Sequence, residues 1–336
     1  MNTDLEKDNN PAAGIARRSF MKISGLSVFS MLGINGAKKL FAGEYQETWN
    51  EFGYDGNIPW YWNEKGFPVH KTVNVSKLSE GIISARVDKR WRQFKIITPD
   101  QNYRDFESNG MVNIYNKLLE GVVAMFGGVY CPTIISYGGI PRGDSKFTLN
   151  GACKFMFPCP KDEATAQTMI DTLKELASNS TERRKWFRDQ FANQYLWDYS
   201  GLVARDETVL TPGEEKADTL YRETHTFRNL MENPLAVILF VSNTDNQSYE
   251  LRTIAHYVHK DDETANPYER KLAEFINTYA NVSHGLNANF PAIIFRTVEE
   301  FNNSMEVGKE GTRVAQLVNG VKNLYARMPW NKSSIG

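Results

Sequence analysis

The chain has 336 residues, with 39 Lys and Arg against 40 Asp and Glu, a formal net charge of −1 at pH 7. Without a basic excess, nucleic acid and anionic membrane are poor partners. The length suits one large domain or two closely joined ones, and an aromatic content of 12% is ample for a packed core.

Residues 16–22 read Ala-Arg-Arg-Ser-Phe-Met-Lys, followed by fifteen uncharged residues from Ile23 to Ala37. Paired arginines, a bulky Phe20 two places on, Lys22 and a mildly apolar run resemble, in that order, the twin-arginine class of bacterial export signal. Proteins with such a signal cross the inner membrane already folded. The resemblance implies cleavage after Ala42, the Tat translocase as transport partner and the periplasm as destination. Removing residues 1–42 leaves a formal charge of about −4. The apolar run is shorter than the ~20 residues a membrane-spanning helix needs. No other segment approaches that length, so the mature chain is expected to be soluble, without a transmembrane segment.

Residues 43–70 hold Trp49, Phe52, Tyr54, Trp60, Tyr61, Trp62 and Phe67 with little periodicity. They are expected to form an aromatic arm over the body of the protein, with a ligand platform as the alternative. Lys71 to Ser76 and Ile82 to Ile97 alternate, predicting a hairpin or two paired strands that Pro99 closes. Met111, Ile114, Tyr115, Leu118, Val122, Met125 and Phe126 then fall at helical spacing, with Gly127 and Gly128 as a stop. Val129 to Ser136 and Phe147 to Phe157 predict strands joined by the glycine-rich loop Tyr137 to Asp144.

Asp162 is placed to cap a helix carrying Met169, Ile170, Leu173 and Leu176. Thr181 opens another bearing Trp186, Phe187, Phe191 and Tyr195, and a third is expected from Gly213 to Met231, so the middle of the chain reads as helical. Leu235 to Val241 is continuously apolar, predicting a strand buried on both faces, and Tyr249 to Val258 returns from it as a hairpin. Asn266 and Pro267 start a helix with the stripe Leu272, Phe275, Ile276 and Tyr279. Pro291 to Thr297 predicts a last strand, and Val314, Leu317, Val318, Val321, Leu324 and Tyr325 a last helix. The fold class expected is α+β, or an irregular α/β, for a globular body spanning residues 71–330.

Histidines supply the candidate chemistry. His256 and His259 on a helix would share a face and chelate a transition metal. On the predicted strand their odd separation sends them to opposite faces. Together with His70 and His225 they are the candidate ligands for a non-covalent haem, flavin or metal. Arg142 and Asp144 lie in the glycine-rich loop, which reads either as a site for an anionic ligand or as an ordinary turn. With His256 they complete the catalytic candidates.

The three cysteines, Cys131, Cys153 and Cys159, have no CxxC spacing and no CxxCH, so neither a four-cysteine iron-sulfur cluster nor a c-type haem is expected. Extended chain would hold Cys153 and Cys159 about 20 Å apart, beyond the ~7 Å that a disulfide allows. Any bridge would therefore join Cys131 to one of them. No GxSxG or HExxH pattern is present.

Folded export serves proteins that load a cofactor in the cytoplasm, or that travel with a partner that does. The expected function is a periplasmic oxidoreductase, or an accessory subunit bound to a redox partner. A cofactor-free hydrolase or isomerase using Asp144, His256 or Cys131 is the alternative, and a ligand-binding protein the third.

Overall fold

Where β-branched and aromatic residues alternate, the described residues form two antiparallel sheets. The computed structural model describes residues 61, 67–122, 128–138, 147–206, 224–242, 247–285, 287 and 289–304, with the backbone of 312–313. The export signal, most of the aromatic arm, the loop with Arg142 and Asp144 and the helix predicted from Val314 lie outside them.

The smaller sheet holds β1 (Val73–Asn74), β2 (Ile82–Val87) and β3 (Arg90–Lys95). Asp88 and Lys89 turn β2 into β3 with φ of 51° and 63°, the left-handed pair a two-residue hairpin requires. Ile83, Ala85 and Val87 face inward from β2 and pack with Ile254 of the larger sheet.

That larger sheet is built from β4 (Thr133–Ser136), β5 (Asn150–Cys153), β6 (Met156–Pro160), β7 (Trp197–Arg205), β8 (Leu235–Val241), β9 (Ser248–Val258), β10 (Ala292–Asn302) and β11 (Thr312–Arg313). Its order is β5-β4-β8-β9-β10-β7-β6, with β11 on β10, and every pairing is antiparallel. The sheet curls into a half-barrel.

Helices α1 (Gln101–Leu119), α2 (Glu163–Glu175), α3 (Ser180–Ala192), α4 (His225–Glu232) and α5 (Pro267–His284) complete an α+β domain. Phe157 of β6 lies at the centre of the core. Its ring packs with Phe187 and Phe191 of α3 and with Phe275 and Tyr279 of α5. Each fully buried ring of this size contributes roughly 2–3 kcal/mol of hydrophobic stabilisation. Caps fix the helix entries: Asp100 accepts from the Tyr103 N–H, Asp162 from Thr165 and Asn266 from Tyr268. Gly285, at φ 62°, ends α5 in the left-handed conformation. Among the described residues no helix is long and apolar enough to cross a membrane.

Several elements differ from the expectation. Helix α1 begins at Gln101, ten residues before the predicted stripe, because Asp100 caps it, and it stops at Leu119. The strand expected over 129–136 is confined to Thr133–Ser136, and that expected over 147–157 is two strands broken at Lys154 and Phe155. The helical middle is interrupted by the nine residues of β7, whose Asp198, Ser200 and Gly201 obscured the strand pattern. Tyr195, assigned to the stripe of α3, lies beyond its end and is 90% exposed. Of the helix expected over 213–231, residues 213–223 lie outside the described residues, and α4 runs from His225 to Glu232. β8 alternates between buried and half-buried residues, so only one of its faces is fully covered. β10 runs on to Asn302 through a bulge after Thr297. Cys131, Cys153 and Cys159 are all free thiols, and the Cys131 side chain lies against that of Cys153.

Candidate functional site

β9 outruns its neighbour. β8 pairs with it only as far as Ile254, and the Ala255 N–H reaches the Pro234 carbonyl. Two residues on, the edge is completed by a side chain: the Tyr257 N–H donates to His70 Nδ1 at 3.1 Å. His70 Nε2 in turn donates to the Leu230 carbonyl at 2.8 Å. Both ring nitrogens are thus engaged, which requires the neutral imidazole. Burial, with the neighbouring His256 adding to it, lowers the His70 pKa to about 3. His70 therefore holds the sheet edge, and ligation through either nitrogen would break the hydrogen bond made there.

His256 packs on this ring, the two centroids 5.8 Å apart. Its Nδ1 lies 3.2 Å from Glu269 Oε2, and its side chain is 12% exposed. Nε2 has no protein partner among the described residues. Glu269 follows the Asn266 cap by three residues, on the same face of α5 as Leu272 and Ile276, so its carboxylate enters the protein fully buried. Arg296 of β10 meets that carboxylate from the other side, Nη2 to Oε1 at 3.4 Å, and its Nη1 lies 3.8 Å from Asp198 Oδ2. Burial alone would raise the Glu269 pKa, but His256 and Arg296 outweigh it and hold the carboxyl below its usual value. Burial likewise opposes the charge on Arg296, and the carboxylates of Glu269 and Asp198 beside it favour the charge.

Gly201 of β7 makes room for this network. It sits opposite Arg296 in the sheet, and a Cβ there would lie 2.9 Å from Arg296 Nη1 and 3.0 Å from Cys159 Sγ. Burial pushes the Cys159 thiol well above its usual range, so it is an inert neighbour rather than a nucleophile.

The remaining candidates separate. His259 lies past the end of β9, stacked on Phe67 with centroids 4.3 Å apart, and its Nδ1 accepts the Asp261 N–H at 3.2 Å. Burial lowers its pKa to about 4. His256 is thus paired with Glu269, and His259 is stacked on Phe67. Among the described residues no three His, Cys, Asp or Glu side chains gather as a metal site would require. His225 opens α4, on another element. Arg142 and Asp144 lie outside the described residues.

Glu269 and Arg296 escaped the sequence reading, though each left a trace. Glu269 stands at a buried register of an amphipathic helix, and Arg296 interrupts the apolar run Ala292 to Phe295 of a strand. A charge in either place needs a partner.

No family model matches the chain, and no curated protein is similar to it. Among solved structures, the chain is similar to the tagged HupZ of Group A Streptococcus at 12% identity and a TM-score of 0.29, over 62% of this chain and 98% of that one. A histidine-to-alanine variant of the same protein gives 12% identity and a TM-score of 0.29, over 60% and 98%.

Proposed function

We propose that the chain is a periplasmic redox protein, an oxidoreductase or the accessory subunit of one, exported folded with a non-covalent haem ligated by His256. Its support is the disposition of one imidazole. Nδ1 is tied to a buried carboxylate, and Nε2 is left as the coordinating nitrogen. A carboxylate on the far nitrogen fixes the tautomer of a ligating histidine, orients its ring and raises its basicity.

The choice among cofactors follows from the number of ligands. A flavin asks for no imidazole ligand. A transition metal held by protein alone asks for three or four donors. Haem brings four nitrogens of its own and needs only one or two from the chain, which matches a single carboxylate-backed histidine. When bound it would supply one-electron or oxygen chemistry. The chain's own part is electrostatic. Arg296 keeps Glu269 ionised in a buried place, and Glu269 keeps the Nδ1 proton on His256 so that Nε2 can donate its lone pair.

The twin-arginine resemblance of residues 16–22 supports the compartment, the passage through the Tat translocase and the loading of a cofactor before transport. The test is the visible spectrum of protein recovered from the periplasm. An intense haem band with about one iron per chain is expected. Colourless, metal-free protein that turns over a substrate would replace this proposal with the hydrolase or isomerase alternative, in which the Glu269 and His256 pair would act as a general base.

A further inference from the structure

Away from His256, helices α1, α3 and α5 border a small, partly open cleft of about 40 Å³. Tyr115, Tyr130 and Tyr279 line it together with Arg183, Arg184 and Ser283, and none of its lining residues is acidic. The three phenols form a chain, with Tyr279 Oη 3.0 Å from Tyr115 Oη and 3.4 Å from Tyr130 Oη.

Arg183 is the unusual member. It is only 8% exposed, a degree of burial at which arginine ordinarily meets a carboxylate. Here its Nη1 donates to the Leu176 and Ala177 carbonyls past the end of α2, at 3.2 and 3.0 Å. The carbonyl end of that helix offsets part of the positive charge. Nε and Nη2 have no acceptor among the described residues. Burial and the adjacent Arg184 both oppose the charge, while Tyr279 and Tyr115 favour it. The cleft therefore presents Arg183 Nε and Nη2 beside a chain of phenol hydroxyls, with no acidic side chain in its lining. Two oxygens of one anion fit the planar fork of an arginine.

We propose that this cleft binds the carboxylate or phosphate oxygens of a small molecule, with Arg183 as the anchoring cation and the tyrosine hydroxyls as orienting donors. Calorimetric titration of the purified full chain, in a chloride background, with inorganic phosphate and separately with benzoate tests it. One of the two is expected to saturate at one per chain. Phosphate saturation identifies a phosphate group, and benzoate saturation a carboxylate on an apolar body. Arg183→Gln is expected to weaken that binding at least about tenfold, and Tyr115→Phe about threefold, from the usual worth of a charged and a neutral hydrogen bond. Should Arg183→Gln fail to fold, Tyr115→Phe decides alone, since it removes one hydroxyl and keeps the ring. Absence of saturation by either anion up to about 10 mM, or substitutions that leave the affinity unchanged, would overturn the proposal.

Discussion

His70 Nδ1 accepts the backbone N–H of Tyr257, so an imidazole stands where the sheet has run out of strand. The same ring donates to Leu230, joining the segment before β1 to α4 and β9. Replacing His70 by Ala leaves a buried N–H and a buried carbonyl unpaired, at about 2–4 kcal/mol. Urea unfolding at pH 7 checks this, and a loss under about 0.5 kcal/mol would show that the edge does not depend on the ring.

The same histidine ties stability to pH. Its folded-state pKa is lowered from 6.5 to about 3, so the unfolded chain binds the proton first. The contribution of His70 is complete above pH 6.5 and is lost as pH falls toward 3. In His70→Ala the fall in stability between those values should be shallower than in the parent.

Glu107 has the opposite sign. This carboxyl of α1 is 1% exposed, and burial raises its pKa from 4.5 to about 8 despite the nearby Tyr103 hydroxyl. The folded state keeps its proton, so the stability it confers is complete below pH 4.5 and lost as pH rises through 8, on the order of 4 kcal/mol. Glu107→Gln should flatten that limb and be the more stable protein at pH 9. Parallel unfolding curves for the two proteins across the range would show that Glu107 is ionised in the folded state.

Gly201→Ala places a methyl group 2.9 Å from Arg296 Nη1 and 3.0 Å from Cys159 Sγ. Neither neighbour can move into solvent, since Arg296 and Cys159 are both buried. Overpacking of this kind costs about 1–3 kcal/mol, and the melting temperature should fall accordingly. An unchanged melting temperature would mean that the guanidinium has room to shift.

The fold was legible wherever a periodic apolar pattern met a cap. Asp162, Asn266 and Pro267 marked α2 and α5, and Tyr249 to Val258 marked β9 within one residue. It was obscured where polar residues occupy inward positions. α1 buries Glu107 and Ser108 in its early turns, and β7 carries Asp198, Ser200 and Gly201 beside an arginine from the next strand. The site was half legible. His256 stood out as an imidazole in a strand, but its partners lie 13 and 40 residues away, and only the sheet and α5 bring them together. A sequence shows that Glu269 and Arg296 need partners, not which ones.

Glu269→Gln tests how the carboxylate acts. It keeps the shape of the side chain and removes the charge that Arg296 and His256 share. Loss of such a partner behind a ligating histidine weakens cofactor binding by about 10–100-fold, and the reduction potential of the bound haem should rise as the imidazole becomes a poorer donor. Unchanged affinity and potential would mean that the Glu269 contact is structural only.

The most direct measurement is a titration of the full chain, freed of any bound haem, with hemin, comparing the parent with His256→Ala. The parent should saturate at one hemin per chain with the spectrum of an imidazole-ligated iron. His256→Ala should lose that spectrum and regain it when free imidazole is added. Equal binding and identical spectra in the two proteins would contradict the assignment of His256 as the ligand.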